Sequence, residues 1–193
     1  MRRVVLYIDS LTSGGAERSV LLLSRGLSNK GHHVVVVTVH GEKRDFYTLP
    51  KNVHRYSLGL TRKNRGLGKL FYNEKRIRAL REILKKEKCD VVIGMMTMCS
   101  VLATVSCFGL PTRSITAERN YPGRKPAIKP WGFLRSVFYR FADAHIVQSK
   151  ETAAWLEKHT GAKNTYIIPN AVSWPLQSFP PSVDPASLLS SDF

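Results

Sequence analysis

Short apolar runs alternate with longer amphipathic segments along most of this chain. The runs are rich in valine and isoleucine and are apolar on both faces, as buried parallel strands are. The predicted strands are Val4–Ile8, Val34–Val37, Val53–Leu58, Asp90–Gly94, Arg113–Thr116, Ala144–Gln148 and Tyr166–Ile168. This alternation predicts an α/β fold, a Rossmann-like, doubly wound and mainly parallel sheet with helices on both faces.

The segments between the runs repeat with helical spacing. After the first strand, the apolar positions that share one helical face are Ala16, Val20, Leu23 and Leu27. Further helices are predicted over about 70–84, 98–107, 131–142 and 149–159. Gly31 suits the left-handed position that ends the first helix, and Ser149 suits the N-cap of the last.

The pattern stops near residue 172. Residues 173–193 contain four of the ten prolines and six serines, without periodicity. We therefore predict one domain over residues 1–172 and a linker or frayed tail over 173–193.

The charge is strongly positive, with 30 Lys and Arg against 14 Asp and Glu, a net charge of +16. Residues 61–88 hold eleven basic residues and three Glu, and residues 113–140 hold seven basic residues and one Glu. Such a charge favours an anionic partner. Because apolar side chains interleave with the basic ones, the first segment could lie on an anionic bilayer, or it could be a solvated helix face. The predicted membrane contacts are Arg62, Lys63, Arg65 and Lys69.

No apolar run approaches the ~20 residues that a spanning helix needs. The run that follows Met1–Arg3 ends at Asp9, too soon for a signal peptide. We expect a cytoplasmic protein whose membrane contact is peripheral. Its three cysteines form no CxxC pair and are expected to be small core residues. No histidine is assigned to a metal, and no metal or cofactor is predicted.

The loop after the first strand holds the first candidate site. Gly14 and Gly15 stand where a strand meets a helix, so the backbone could approach a phosphate at the helix amino terminus. We expect a side chain at Gly15 to block that approach and to strain a glycine-type backbone. The alternative is that the glycines serve only a tight turn. The motif is neither GxGxxG nor a Walker P-loop.

Four motifs in register resemble glycosyltransferase family 4. The first is Gly14-Gly15-Ala16-Glu17-Arg18, followed by Gly31-His32-His33-Val34, with His33 where the family usually has Glu. The others are Ala117-Glu118-Arg119-Asn120-Tyr121-Pro122, the segment Tyr139–Ser149 with its Ala142-Asp143 pair, and Ile167-Ile168-Pro169-Asn170-Ala171-Val172. The resemblance covers about residues 3–172.

This resemblance implies the amino-terminal, acceptor-side half of a GT-B fold. Family members move a sugar from a nucleotide-sugar donor to a glycan or lipid-linked acceptor, with retention and without a metal, and many build bacterial surface glycans. In the family, a second Rossmann-like domain with a Glu-x7-Glu motif holds most of the nucleotide. Since nothing after Val172 resembles it, we expect a truncated chain that is inactive alone, on the inner face of a membrane.

The loop after the fifth strand is the second candidate site, expected to face the cleft. By resemblance, Glu118 could act as a base or orient an acceptor hydroxyl, and it is the predicted catalytic residue. Arg119 suits a phosphate, and Arg119, Asn120 and Tyr121 are the predicted acceptor-binding residues. The alternative is a surface ion pair between Glu118 and Arg119 with no ligand.

Two other function classes remain open. An NAD-type dinucleotide-binding oxidoreductase would need GxGxxG and an acidic residue at the end of the second strand, where the chain has Thr38-Val39-His40-Gly41. A nucleic-acid-binding module is suggested by charge alone, since no known binding motif is present and few aromatic residues interleave with the basic segment.

Overall fold

The computed structural model describes residues 1–60 and 68–170. Its elements are β1 Arg3–Ile8, α1 Gly15–Asn29, β2 His33–Thr38, β3 His54–Ser57, α2 Gly68–Lys86, β4 Val91–Met95, α3 Met96–Cys107, β5 Arg113–Ala117, α4 Trp131–Phe138, β6 Ala144–Val147, α5 Lys150–Thr160 and β7 Thr165–Ile167. Short 3₁₀ turns cover Glu42–Arg44 and Tyr139–Phe141. The predicted tail, 173–193, lies outside the described residues.

The strands form one parallel sheet in the order β3-β2-β1-β4-β5-β6-β7. The chain builds outward from β1 to β3 and then returns to the other side of β1 to add β4. The change of direction leaves a crevice between the carboxyl ends of β1 and β4, which is where open α/β sheets bind ligands. The predicted doubly wound fold is confirmed.

The core has two main layers because successive side chains of a strand point to opposite faces. On one face, Val5 and Tyr7 pack with the apolar sides of α2 and α3. On the other, Leu6 and Ile8 pack with α1 through Val20. A smaller cluster, centred on Tyr139 and Leu156, joins α4 and α5 to the sheet.

Two helix ends follow the predicted chemistry. Gly31 adopts φ +79°, the left-handed conformation that glycine tolerates without strain. The Ser149 hydroxyl accepts a hydrogen bond from the Thr152 amide at 3.3 Å, which caps α5. Gly161, at φ +63°, ends the same helix.

Three element boundaries differ from the prediction. α3 begins at Met96, directly after β4, because Met96 adopts φ +67° and turns the chain without a loop. A Cβ at Gly94 would lie 2.5 Å from Ser100 Cα, so only glycine allows this close packing of strand on helix. α4 ends at Phe138, where a 3₁₀ turn places Tyr139 in the core. β7 begins one residue before the predicted strand and ends at Ile167.

Candidate functional site

A cavity of about 370 Å³ opens at the carboxyl edge of the sheet. Its walls come from the ends of five strands and the first turns of two helices. The lining residues are Ile8, Asp9, Gly15, Ala16, Glu17, Met95, Met96, Met98, Cys99, Arg119, Asn120, Gln148 and Asn170. The cavity therefore lies over the crevice between β1 and β4.

The amino terminus of α1 forms one wall, and its two glycines differ. Gly14 is the N-cap in extended backbone, without a side-chain cap, and the Glu17 carboxylate occupies the space that a Cβ at Gly14 would need. At Gly15, a Cβ would have no neighbour within 4 Å. The structure thus brings Gly15, rather than Gly14, to the cavity.

The expected backbone strain at Gly15 is wrong. Gly15 is the first residue of α1 and does not have a positive φ. A side chain there would project into open space beside the cavity and would not force the backbone into a disfavoured conformation.

Arg119 forms the opposite wall and joins three elements. Its guanidinium donates hydrogen bonds to the Ser19 hydroxyl of α1 and to the Asn170 side chain that follows β7. Burial lowers the pKa of Arg119 from its ordinary value, but an arginine in a protein keeps its charge. A half-buried cation therefore faces the amino terminus of α1 across the cavity.

Glu118 does not face the cleft, contrary to the prediction. Its side chain is only 3% exposed and is not part of the cavity wall. Its Oε1 accepts hydrogen bonds from the Tyr139 hydroxyl at 2.6 Å and from Thr97 at 2.9 Å, and it lies 3.5 Å from the buried Arg135 guanidinium. A carboxylate engaged in this way, beneath the surface, is placed to fix β5 to α3 and α4. The geometry gives no support for a base, so its catalytic role stays an untested prediction.

The remaining residues of the loop divide in the same way. Asn120 lines the cavity, whereas Tyr121 does not. The Tyr121 carbonyl accepts hydrogen bonds from the Arg124 and Lys125 amides, and its ring lies where a Cβ at Gly123 would stand. Tyr121 therefore shapes the turn that follows the site.

Asp9 is a cavity residue that sequence reasoning missed. Its carboxylate lies 3.4 Å from His40 Nε2 and 3.6 Å from Nη2 of the fully buried Arg76. Arg76 also donates to the Tyr7 hydroxyl at 2.9 Å. The signal in the sequence was the position of Asp9, directly after a predicted strand, and the same signal would have found Gln148 and Asn170.

The floor of the cavity is apolar and soft, made mainly of Met95, Met98 and Cys99. Burial raises the pKa of the Cys99 thiol to about 12. The thiol is therefore neutral near pH 7 and a poor nucleophile. This confirms the expectation that Cys99 is a small core residue.

The predicted membrane contacts cannot be placed. Arg62, Lys63 and Arg65 lie outside the described residues, and Lys69 lies in α2 with its side chain undescribed. Among the described helices, none has the length and apolarity to cross a bilayer. Within residues 1–60 and 68–170, no three His, Cys, Asp or Glu side chains are grouped as metal ligands would be.

Solved structures share this fold. A sucrose-phosphate synthase from Thermosynechococcus elongatus superposes with a TM-score of 0.70 at 16% identity, over 88% of this chain and 48% of its own. A UDP-N-acetylglucosamine 2-epimerase superposes with a TM-score of 0.65 at 18% identity, over 88% of this chain and 48% of its own. The fold is that of one Rossmann-like half of a GT-B protein, and it serves more than one reaction.

Sequence comparison is more specific. A Campylobacter jejuni protein is 33% identical over 159 residues, which are 82% of this chain and 43% of that protein. It is named GalNAc-alpha-(1->4)-GalNAc-alpha-(1->3)-diNAcBac-PP-undecaprenol alpha-1,4-N-acetyl-D-galactosaminyltransferase. The chain thus spans less than half the length of this curated relative. Residues 13–173 match the profile named Glycosyltransferase Family 4, and the chain belongs to that family.

Proposed function

We propose that this chain is the acceptor-side domain of a retaining, metal-independent glycosyltransferase. The enzyme would move a sugar from a nucleotide-sugar donor to a glycan or lipid-linked acceptor in the synthesis of a cell-surface polysaccharide. One observation carries the proposal. In a chain of this family, the cavity over the β1–β4 crevice has the open amino terminus of α1 on one wall and Arg119 on the other.

The two walls suit an anionic group between them. The first turn of α1 presents backbone N–H groups, and the helix dipole adds partial positive charge there. Gly15 leaves room for a phosphate to approach these groups, and Arg119 can bind a phosphate oxygen from the other side. A donor diphosphate or the diphosphate of a lipid-linked acceptor has this chemistry.

The polar side chains between these walls suit sugar hydroxyls. Asp9, Asn120 and Gln148 line the cavity, and each offers a hydrogen-bond acceptor. Asp9 stands between two basic side chains, which favour its ionised form. We assign these residues to the acceptor and assign Glu118 to holding the Arg119 loop in place.

The acceptor class is proposed from two further observations. The Campylobacter relative is named for a substrate linked through diphosphate to undecaprenol. This chain has a net charge of +16, concentrated in two segments. A peripheral position on the inner face of a membrane would explain both, with residues 61–88 as one contact.

Nuclear magnetic resonance titration of the labelled chain tests the proposal. The probe is a short-chain prenyl diphosphate that carries N-acetylgalactosamine. We expect it to shift the amide signals of Gly15, Asn120 and Gln148. Because one charged contact is worth about 1.4 kcal/mol or more, Arg119→Ala should weaken binding about tenfold.

The matched control is Arg140→Ala, which removes an exposed arginine from the 3₁₀ turn at the opposite edge of the sheet. It should leave the affinity unchanged. An equal loss in both variants would mean that the probe senses only net charge, and the cavity assignment would then be wrong.

A further inference from the structure

The connection between β5 and α4 presents large apolar side chains to solvent. Ile128 is 84% exposed and Phe133 is 71% exposed. Both lie near the start of α4, which follows a loop that leaves the carboxyl end of β5. Because Arg119 and Asn120 of this loop line the cavity, the exposed pair lies at the cavity's edge of the sheet.

The charges around this pair have one sign. Arg124, Lys125 and Lys129 are exposed in the same connection. The acidic residue of this stretch, Glu118, is buried and lies against Arg135, so it does not offset the exposed charge. We call Arg124, Lys125, Ile128, Lys129 and Phe133 the β5–α4 surface.

The segment is held firmly, so these side chains are presented on a fixed support. The Ile128 carbonyl accepts a hydrogen bond from the Trp131 amide at 2.8 Å, and the Tyr121 carbonyl closes a turn with Lys125 at 3.0 Å. The inner face of α4 packs on the core through Leu134 and Phe138. Phe133, on the outer face, has no place in that packing.

We infer that the β5–α4 surface docks on an anionic lipid bilayer. Exposed apolar side chains next to basic ones match the two layers of such a membrane, since the apolar groups enter the acyl boundary and the cations pair with anionic headgroups. A nucleic acid would satisfy the lysines but would leave Ile128, which has no aromatic ring to stack, exposed to water.

Docking through this surface brings the cavity to the membrane. The same loop that carries the apolar pair also carries Arg119, so a diphosphate at the headgroup level would enter beside that arginine. The inference rests on the proposed function for its purpose. It also supplies a membrane contact separate from residues 61–88.

Vesicle sedimentation tests the inference on the full chain. The vesicles are phosphatidylcholine with or without phosphatidylglycerol, at low and high salt. We expect Ile128→Ser with Phe133→Ser, and separately Lys125→Glu with Lys129→Glu, to weaken binding to the anionic vesicles about tenfold or more. The control is Phe141→Ser, an apolar residue 55% exposed at the opposite edge of the sheet, which should bind like the parent.

Each other outcome overturns the inference in its own way. If the apolar double variant binds within about twofold of the parent, the surface does not enter the bilayer. Loss of binding only in the triple variant Arg62→Glu, Lys63→Glu, Arg65→Glu would leave the proposed membrane association standing through the other segment. Oligonucleotide binding that the charge variant weakens and the apolar variant spares would point to a nucleic acid instead. Absence of vesicle binding by the parent would overturn membrane docking, while the titration of the cavity would still test the glycosyltransferase assignment.

Discussion

At the residue scale, Gly15 shows how one missing side chain shapes the cavity. The position is open, since a Cβ there would meet no atom within 4 Å, and the backbone is unstrained. Its glycine is therefore not required by the fold. Space for a ligand at the first turn of α1 is the remaining physical reason for it.

We expect Gly15→Val to separate binding from stability. The valine would occupy the approach to the α1 amino terminus and should weaken binding of the prenyl diphosphate probe by about tenfold, near 1.4 kcal/mol. The melting temperature should stay close to that of the parent. Gly26→Val is the matched control, because Gly26 lies in the same helix with equally open surroundings. If both variants bind alike, Gly15 is only a turn residue.

His145 is a second residue whose surroundings have a measurable effect. Its ring is fully buried, Nδ1 lies 2.7 Å from the Thr116 hydroxyl, and Nε2 has no hydrogen-bond partner within the described part of the chain. Burial lowers the pKa of His145 to about 4, from an ordinary value of 6.5. The folded protein thus holds this histidine neutral.

The pH dependence follows from that difference. As pH falls below 6.5, the unfolded chain binds a proton that the folded chain refuses until about pH 4. The free energy of unfolding should therefore decrease by about 2 kcal/mol between pH 7 and pH 5 through this group. Urea unfolding at both pH values should show a smaller decrease for His145→Gln than for the parent. His159→Gln, at an exposed position, should behave like the parent, and an unchanged decrease in His145→Gln would contradict the assignment.

At the scale of elements, Glu118 connects pieces that are distant in sequence. It extends from the end of β5 and receives hydrogen bonds from Thr97 of α3 and Tyr139 of the 3₁₀ turn, with Arg135 of α4 close by. Arg135 in turn lies over the Trp155 ring of α5 at 4.6 Å. The loop that carries Arg119 leaves directly from this buried cluster.

A positioning role for Glu118 predicts a loss of stability. Glu118→Ala would leave Arg135 buried without its carboxylate, so we expect the free energy of unfolding to fall by about 3–5 kcal/mol. The double variant Glu118→Gln, Arg135→Met should recover much of it, because both charges are then removed. Urea unfolding measures all three proteins. Full stability in Glu118→Ala, together with lost function, would instead support the predicted catalytic role.

At the scale of the whole molecule, the chain provides one side of a cleft. It spans 43% of the Campylobacter relative and 48% of the sucrose-phosphate synthase, matching one Rossmann-like half. The family resemblance assigns most of the nucleotide's contacts to the other half. The cavity described here is therefore suited to the acceptor and to the phosphates rather than to the base of a nucleotide.

This division predicts weak donor binding. Calorimetric titration with UDP-N-acetylgalactosamine should give a dissociation constant above about 1 mM, equivalent to about 4 kcal/mol of binding free energy. No sugar should be transferred by the isolated chain. Micromolar affinity would show that this domain holds the nucleotide itself, and the acceptor-side assignment would then be wrong.

The sequence by itself determined the sheet, its helices and the family. Buried parallel strands need apolar side chains on both faces, and helices over them need one apolar side, so the pattern of residues 4–168 is readable without coordinates. Local capping was equally readable, because Gly31 and Ser149 act through their own backbone and near neighbours. The glycine pair and the Arg119 loop were found because they follow strands.

Only the tertiary structure decided which side chains face the cavity. Glu118 and Arg119 are neighbours in sequence, yet successive residues of an extended chain point to opposite sides, so one lies in the core and the other on the wall. Asp9, Gln148 and Asn170 come together because the strands before them are parallel, with their carboxyl ends at one edge. Burial and neighbours that are distant in sequence set these roles, and a local pattern does not contain them.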